Sequence, residues 1–244
     1  MTAAVSSRPP RPTASCAGSP FVSESQVARP VRAWLHQQAG VLGVGDEVNA
    51  GCGIADLVAG CSSSQLLPAR SAFTDPLTCR LLELAQQPVD ESELRIWAPH
   101  GWRSLQRRVI QPLLNSGQLE VVAIGDQVAY TAAVDAVDPF TGLIAVELKL
   151  RNWRRAIAQA GRYRLFAERS YVALPVGRVD SDLVLQARRN QVGVLAVCED
   201  ETVRVAEEAP IGEPLQPLRR RWASEQLLNA LQYPGARVAG SPIR

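Results

Sequence analysis

Apolar and polar positions along this chain follow two distinct patterns. In residues 21–69 and again in 131–212, short apolar runs alternate with amphipathic helical stretches. Val27, Val31, Trp34 and Leu35 share one helical face after Ser23-Glu24-Ser25-Gln26, a capping-box pattern. They predict a helix to about Gln38, with Pro30 early in it. Gly40 to Gly45 reads as a turn-rich link, and Glu47–Gly53 and Ile54–Gly60 as strand material in which Asp56 is the only charge of its run. Val134–Val137 and Leu143–Leu150 are expected to pair as a hairpin around a turn at 138–142. A helix over Trp153–Arg169 follows, then a buried strand at Tyr171–Pro175. After a helix at Ser181–Asn190, strands at Gly193–Cys198 and Thr202–Ala206 form a second hairpin. A last helix is expected around Arg219–Leu231, within a helical extension covering 213–244.

The segment 70–130 reads differently. Leu77–Gln87, Asp90–Ala98 and Trp102–Ser116 predict three helices, the third stopped by Gly117. Leu119–Ile124, a Gly125-Asp126 turn and Gln127–Thr131 predict a hairpin. Three helices followed by a hairpin is the order of a winged helix-turn-helix. Residues 1–20, rich in Pro, Ser, Ala and Arg without periodicity, read as a disordered tail.

Composition narrows the chemistry. The formal net charge of +2 over 244 residues announces no global basic field, so a nucleic-acid partner must be met by a local patch. Five cysteines without a CxxC pair fit a reducing, cytoplasmic setting better than a disulfide framework. With only His36 and His100, a His/Cys zinc site is not expected, and carboxylate ligands point to Mg²⁺ or Mn²⁺. No stretch has the length of a membrane span and the N-terminus lacks a signal-peptide core, so no membrane is expected. A small-molecule cofactor is not expected either.

The most informative positions are Glu147 and Lys149, in the otherwise apolar run Gly142–Leu150. In a strand both side chains point to one face, and burying two charges is tolerable only if they are paired or hold an ion. Taken with Asp56 in Ile54-Ala55-Asp56-Leu57-Val58 and Gln159 in Ala156-Ile157-Ala158-Gln159-Ala160-Gly161-Arg162-Tyr163, the chain resembles the PD-(D/E)XK nuclease superfamily. The resemblance covers 21–62 and 131–206 and leaves the 70–130 segment as an insertion.

It implies an α/β, restriction-endonuclease-like mixed central sheet flanked by helices, with an inserted winged-helix subdomain. It also implies a Mg²⁺-dependent endonuclease. Asp56 and Glu147 bind the metal, with the Leu148 carbonyl and Glu24 completing its shell, and Glu47 is a weaker candidate for that place. Lys149 orients or deprotonates the attacking water, and Gln159 positions a phosphate or water. Asp135 is a rival to Asp56, because the insertion interrupts the link from the Asp strand to the Glu-x-Lys strand.

DNA is the expected partner of the third inserted helix: Arg103, Ser104, Gln106, Arg107 and Gln111 lie toward its exposed side, and Arg103, Ser104, Gln106, Arg107 and Arg108 are the candidate DNA contacts of a recognition helix in the major groove. Five arginines against seven acids give the stretch Thr74–Tyr130 a net charge of −2, so this contact rests on one helix rather than on the subdomain. A second basic cluster (Arg151, Arg154, Arg155, Arg162, Arg164, Arg169) follows the Glu-x-Lys strand. Double-strand cleavage would suit a homodimer. The competing reading is a catalytically inactive, nuclease-fold DNA-binding regulator, or a protein-interaction module that uses the winged helix.

Overall fold

A computed structural model describes residues 21–64, 66–98 and 101–233; the tail read at 1–20 lies outside them. The chain is mixed α/β, with one central mixed sheet between helices and a second, smaller sheet. The central sheet has six strands: β1 (Val41–Asn49), β2 (Ile54–Cys61), β6 (Gly142–Leu148), β7 (Arg169–Pro175), β8 (Gly193–Val197) and β9 (Val203–Glu207), adjacent in that order. The pairs β6–β7 and β7–β8 are parallel, and the other pairs are antiparallel.

Each face of this sheet buries its own cluster. On one face α1 (Glu24–His36) sets Val27, Val31 and Leu35 against Leu57, Val146 and Tyr171. On the other, α6 (Trp153–Tyr163), α7 (Ser181–Arg189) and α8 (Pro217–Gln232) cover Val58, Leu143, Ala145 and Val172. The central strands β6, β7 and β8 are buried on both sides, which is why they read as near-continuous apolar runs. The last helix among the described residues, α8, packs into this core, with Ala223, Leu227 and Leu228 fully buried.

Between β2 and β6 the chain builds the smaller unit. It consists of α2 (Pro76–Leu84), β3 (Val89–Asp90), α3 (Glu91–Trp97), α4 (Trp102–Leu105), a π-helical stretch (Gln106–Ile110), α5 (Gln111–Asn115), and the hairpin β4 (Leu119–Ile124) and β5 (Gln127–Ala132). Its three strands run in the order β3-β5-β4, and Leu81, Leu94, Val109, Leu113 and Tyr130 form a separate core.

Several local expectations are corrected. Gly40–Gly45 is not a link: β1 begins at Val41. A Cβ at Gly43 or Gly45 would stand 2.7 Å from the Leu231 or Leu227 side chain, so these glycines let α8 lie close on the strand. Val134–Ala136 is a 3-10 turn rather than a strand, and β6 pairs with β2 instead. The insertion thus interrupts a hairpin in sequence while leaving its two strands side by side. The Ser23 side chain does not cap α1; Gln26 Oε1 instead accepts from the Val22 amide at 2.8 Å. Pro30 lies in the second turn of α1 rather than the first. The helix after β6 ends at Tyr163, short of Arg169.

Candidate active site

The backbone creates the site by letting two strands part. Pairing between β2 and β6 ends at Leu57 and Val146. One position further along that register, Asp56 stands opposite Glu147. The Leu148 amide finds no strand partner there and donates to Asp56 Oδ2 at 2.7 Å. Alternation along each strand carries Asp56 and Glu147 to the face covered by α6, the side on which Val58 and Ala145 are buried. Asn152 turns the chain into α6 through a left-handed backbone (φ 55), a conformation asparagine tolerates, and its side chain accepts from the Arg155 amide at 3.4 Å.

Four oxygens surround the Lys149 ammonium. Nζ lies 2.8 Å from Leu148 O, 3.0 Å from Glu147 Oε1, 3.4 Å from Glu24 Oε1 and 3.9 Å from Asp56 Oδ2. Glu147 is only 1% exposed. Its second oxygen meets the Tyr163 hydroxyl, which also lies 2.8 Å from Ile54 O. Sequence reasoning assigns Tyr163 no role. The available signal is its place one helical turn after Gln159, on the same face of α6.

Three carboxylates against one ammonium leave the cluster two negative charges in excess. The effect is visible at Asp56, whose pKa is pushed up to about 6, first by burial and then by the charges of Glu147 and Glu24; the Leu148 amide and Lys149 oppose the shift. Burial pulls the Lys149 pKa down, but the hydrogen bond and charge of Glu147, helped by Asp56 and Glu24, outweigh it and leave the pKa above its ordinary value. Burial and the Glu147 carboxylate likewise hold the Tyr163 phenol well above its usual range, so it stays protonated as a donor.

Lys149 is the only lysine in the chain; the other 25 of its 26 Lys and Arg residues are arginine. An ammonium is a compact point charge with rotatable donors, whereas a guanidinium is a broad planar fork. Four oxygens at 2.8–3.9 Å around one atom suit the former.

The other predicted residues fall in different places. Gln159 is partly buried, and its Oε1 is shielded from solvent without a hydrogen-bond partner among the described residues. Asp135 sits exposed in the 3-10 turn, where its carbonyl accepts from Arg70 Nε at 2.9 Å, and it has no contact with Lys149. Glu47 has left-handed backbone (φ 48) and makes no side-chain hydrogen bond or ion pair among the described residues. Arg103, Gln106, Arg107 and Arg108 are exposed along the third inserted helix, and Ser104 is half-buried.

Among the described residues no group of His, Cys, Asp and Glu side chains is already closed around a metal position. The carboxylates are arrayed around the ammonium instead. Their donor chemistry is all oxygen, which fits Mg²⁺ or Mn²⁺, and the excess negative charge favours a divalent cation beside the ammonium. No helix among the described residues is long and apolar enough to cross a membrane. Comparison with protein-family models, with curated proteins and with solved structures returned no match.

Proposed function

We propose that this chain is a metal-dependent DNA endonuclease that hydrolyses phosphodiester bonds, built on the PD-(D/E)XK, restriction-endonuclease-like fold with an inserted winged helix-turn-helix. The observation that carries the reading is the ring of Leu148 O, Glu147, Glu24 and Asp56 oxygens around Lys149 Nζ, at the point where β2 and β6 part. The succession α1, β1, β2, β6, α6, β7 supports the same reading, as does the order of elements in the insertion.

In this reading Asp56 and Glu147 hold the Mg²⁺, with Glu24 and the Leu148 carbonyl within reach. A bound Mg²⁺ supplies an activated water and neutralises charge on the phosphate. Tyr163 orients Glu147 by hydrogen-bonding the oxygen that Lys149 does not contact. Lys149 acts as a cationic donor to the attacked phosphate or the water, not as the base, because its neighbours favour the protonated form. Gln159 positions phosphate or water from the same side of α6 as Tyr163.

The test is cleavage of plasmid and linear DNA with and without Mg²⁺ or Mn²⁺. Wild type is expected to cut only with metal. Glu147→Ala and Lys149→Arg are expected to lose at least about a hundredfold in rate, the scale of a displaced electrostatic group. Wild-type protein that leaves varied DNA intact with either metal would sink the catalytic reading. DNA binding that persists without cleavage, and is indifferent to Asp56 and Glu147, would favour the regulator.

A further inference from the structure

Directly beside the carboxylate cluster lies a cavity of about 550 Å³, lined by Phe21, Val22, Glu24, Leu150, Arg151 and Arg178 among others. Its walls come from three places: the entry to α1, the segment leaving β6, and the 3-10 turn Val176–Arg178 that follows β7. Parallel pairing of β6 with β7 brings the last two together, since both strands end on the same side of the sheet. Arg151 and Arg178 are exposed, and neither guanidinium makes an ion pair or a side-chain hydrogen bond among the described residues. Glu24, the cavity's acid, is engaged by Lys149 at 3.4 Å and so joins the cavity to the cluster.

Two guanidiniums without partners, an apolar wall and the reacting centre at one end define a ligand with a phosphate and an apolar face. Arginine forks match phosphate oxygens in pairs, and an aromatic ring offers a surface to a base or sugar. We propose that this cavity is the subsite for the nucleotide next to the scissile phosphate, with Arg151 and Arg178 holding that nucleotide's phosphate and Phe21 and Val22 its apolar side. The proposal rests on the nuclease reading for the position of the scissile phosphate.

The experiment uses full-length protein in chelator, so that nothing is cut. Oligonucleotides labelled at the 3′ end, carrying a 5′-phosphate or a 5′-hydroxyl, are titrated by fluorescence anisotropy across a salt series. Arg151→Ala/Arg178→Ala is expected to weaken binding at least about tenfold, the scale of removing charge-assisted hydrogen bonds. Its log-affinity against log-salt slope is expected to fall by roughly 0.7 for every single-strand phosphate that is no longer neutralised. Arg29→Ala, which removes an exposed arginine paired with Glu201 at 3.6 Å, is expected to bind as wild type. A loss confined to 5′-phosphorylated strands identifies a terminal phosphate as the ligand; an equal loss on both identifies an internal one. Either supports the subsite.

Wild-type affinity and slope in the double variant, with metal-dependent cleavage intact, would overturn the subsite and leave the nuclease reading standing. Arginine-dependent binding without cleavage by wild type would leave a phosphate-binding cavity but overturn its assignment next to a scissile phosphate, together with the nuclease reading. A parallel loss of Mn²⁺ affinity in the double variant would also overturn it, since the arginines would then be acting through the cluster. Wild type that neither binds nor cuts ends both.

Discussion

At the residue scale the site is a problem of crowded charge, and Asp56 reports it. Its folded-state pKa of about 6 lies above the ordinary 3.8, so the folded protein binds this proton more tightly than the unfolded chain does. Above about pH 6 Asp56 is ionised in both states, and its ionised form weighs against folding. As pH falls from about 6 to about 4 the folded state takes up the proton first, and this group's contribution to stability rises. A bound divalent cation reverses the balance by favouring the carboxylate. Carboxyl-detected NMR is expected to place the Asp56 midpoint near 6 without metal and clearly lower with Mg²⁺, and metal affinity is expected to weaken below pH 6. A midpoint near 4 that ignores Mg²⁺ would contradict both the crowding and the metal. Glu147 and Lys149 were legible in the sequence because two charges interrupt an apolar strand. Tyr163 was not, because a tyrosine on a helix face is unremarkable until its hydroxyl is seen on Glu147. The scarcity of lysine was a further signal in the composition: where arginine serves everywhere else, one lysine marks a position that needs a small cation.

At the element scale the third inserted helix decides what the insertion does. Its apolar stripe Leu105, Val109, Ile110 and Leu113 is buried as the periodicity requires, leaving Arg103, Gln106, Arg107, Arg108 and Gln111 on the outer face. Periodicity did not reveal the π-helical stretch. Pro112 has no amide to offer the Arg108 carbonyl and its ring would crowd that carbonyl, while the Gln111 amide reaches back to Gln106 O, a five-residue step that widens the turn. The misread Gly40–Gly45 segment has a similar origin. Glycine marks a turn by default, and only the approach of Leu227 and Leu231 from the far end of the chain makes it a strand residue. Replacing Arg103, Arg107 and Arg108 together by alanine is expected to lower duplex-DNA affinity, and to reduce the salt slope by roughly 0.9 for each phosphate left unneutralised. The exposed positions should leave stability within about 0.5 kcal/mol per residue. Unchanged DNA binding with an altered oligomeric state would instead make this face a protein contact.

At the scale of the whole molecule the question is how an inserted unit with its own core is held against a site it interrupts. The connections at both of its ends are pinned to α8 by buried charge. Glu225, fully buried, accepts from Arg70 Nη1 at 2.9 Å and Nη2 at 2.6 Å and from the Phe73 amide at 3.0 Å, and it pairs with the fully buried Arg221 at 2.9 Å. Arg221 Nη2 reaches Ala136 O at 2.5 Å, and Arg70 also holds the carbonyls of Asp135 and Val137. Residues 70–73 lead into the insertion and 135–137 lead out of it, so one carboxylate organises both crossings. None of this was legible beforehand, because Arg221 and Glu225 lie four apart on a helix and read as an exposed pair until the rest of the chain covers them. Removing Glu225 strands two buried guanidiniums, whereas removing a surface partner costs little. Glu225→Ala is therefore expected to destabilise the protein by about 3–5 kcal/mol. Beyond that loss, amide exchange in α2 and in the segments at 70–73 and 135–137 should rise towards the rates of local opening, ahead of β6 and β7. In a background with Trp34, Trp153 and Trp222 replaced by phenylalanine, urea unfolding followed by fluorescence of Trp97 and Trp102, both in the insertion, compared with far-ultraviolet dichroism of the whole chain, should give two separate transitions with Glu225→Ala and one without it. A variant that loses less than about 1 kcal/mol and still unfolds in one step would mean that apolar contact between α2 and α8, not the charge network, holds the two parts together.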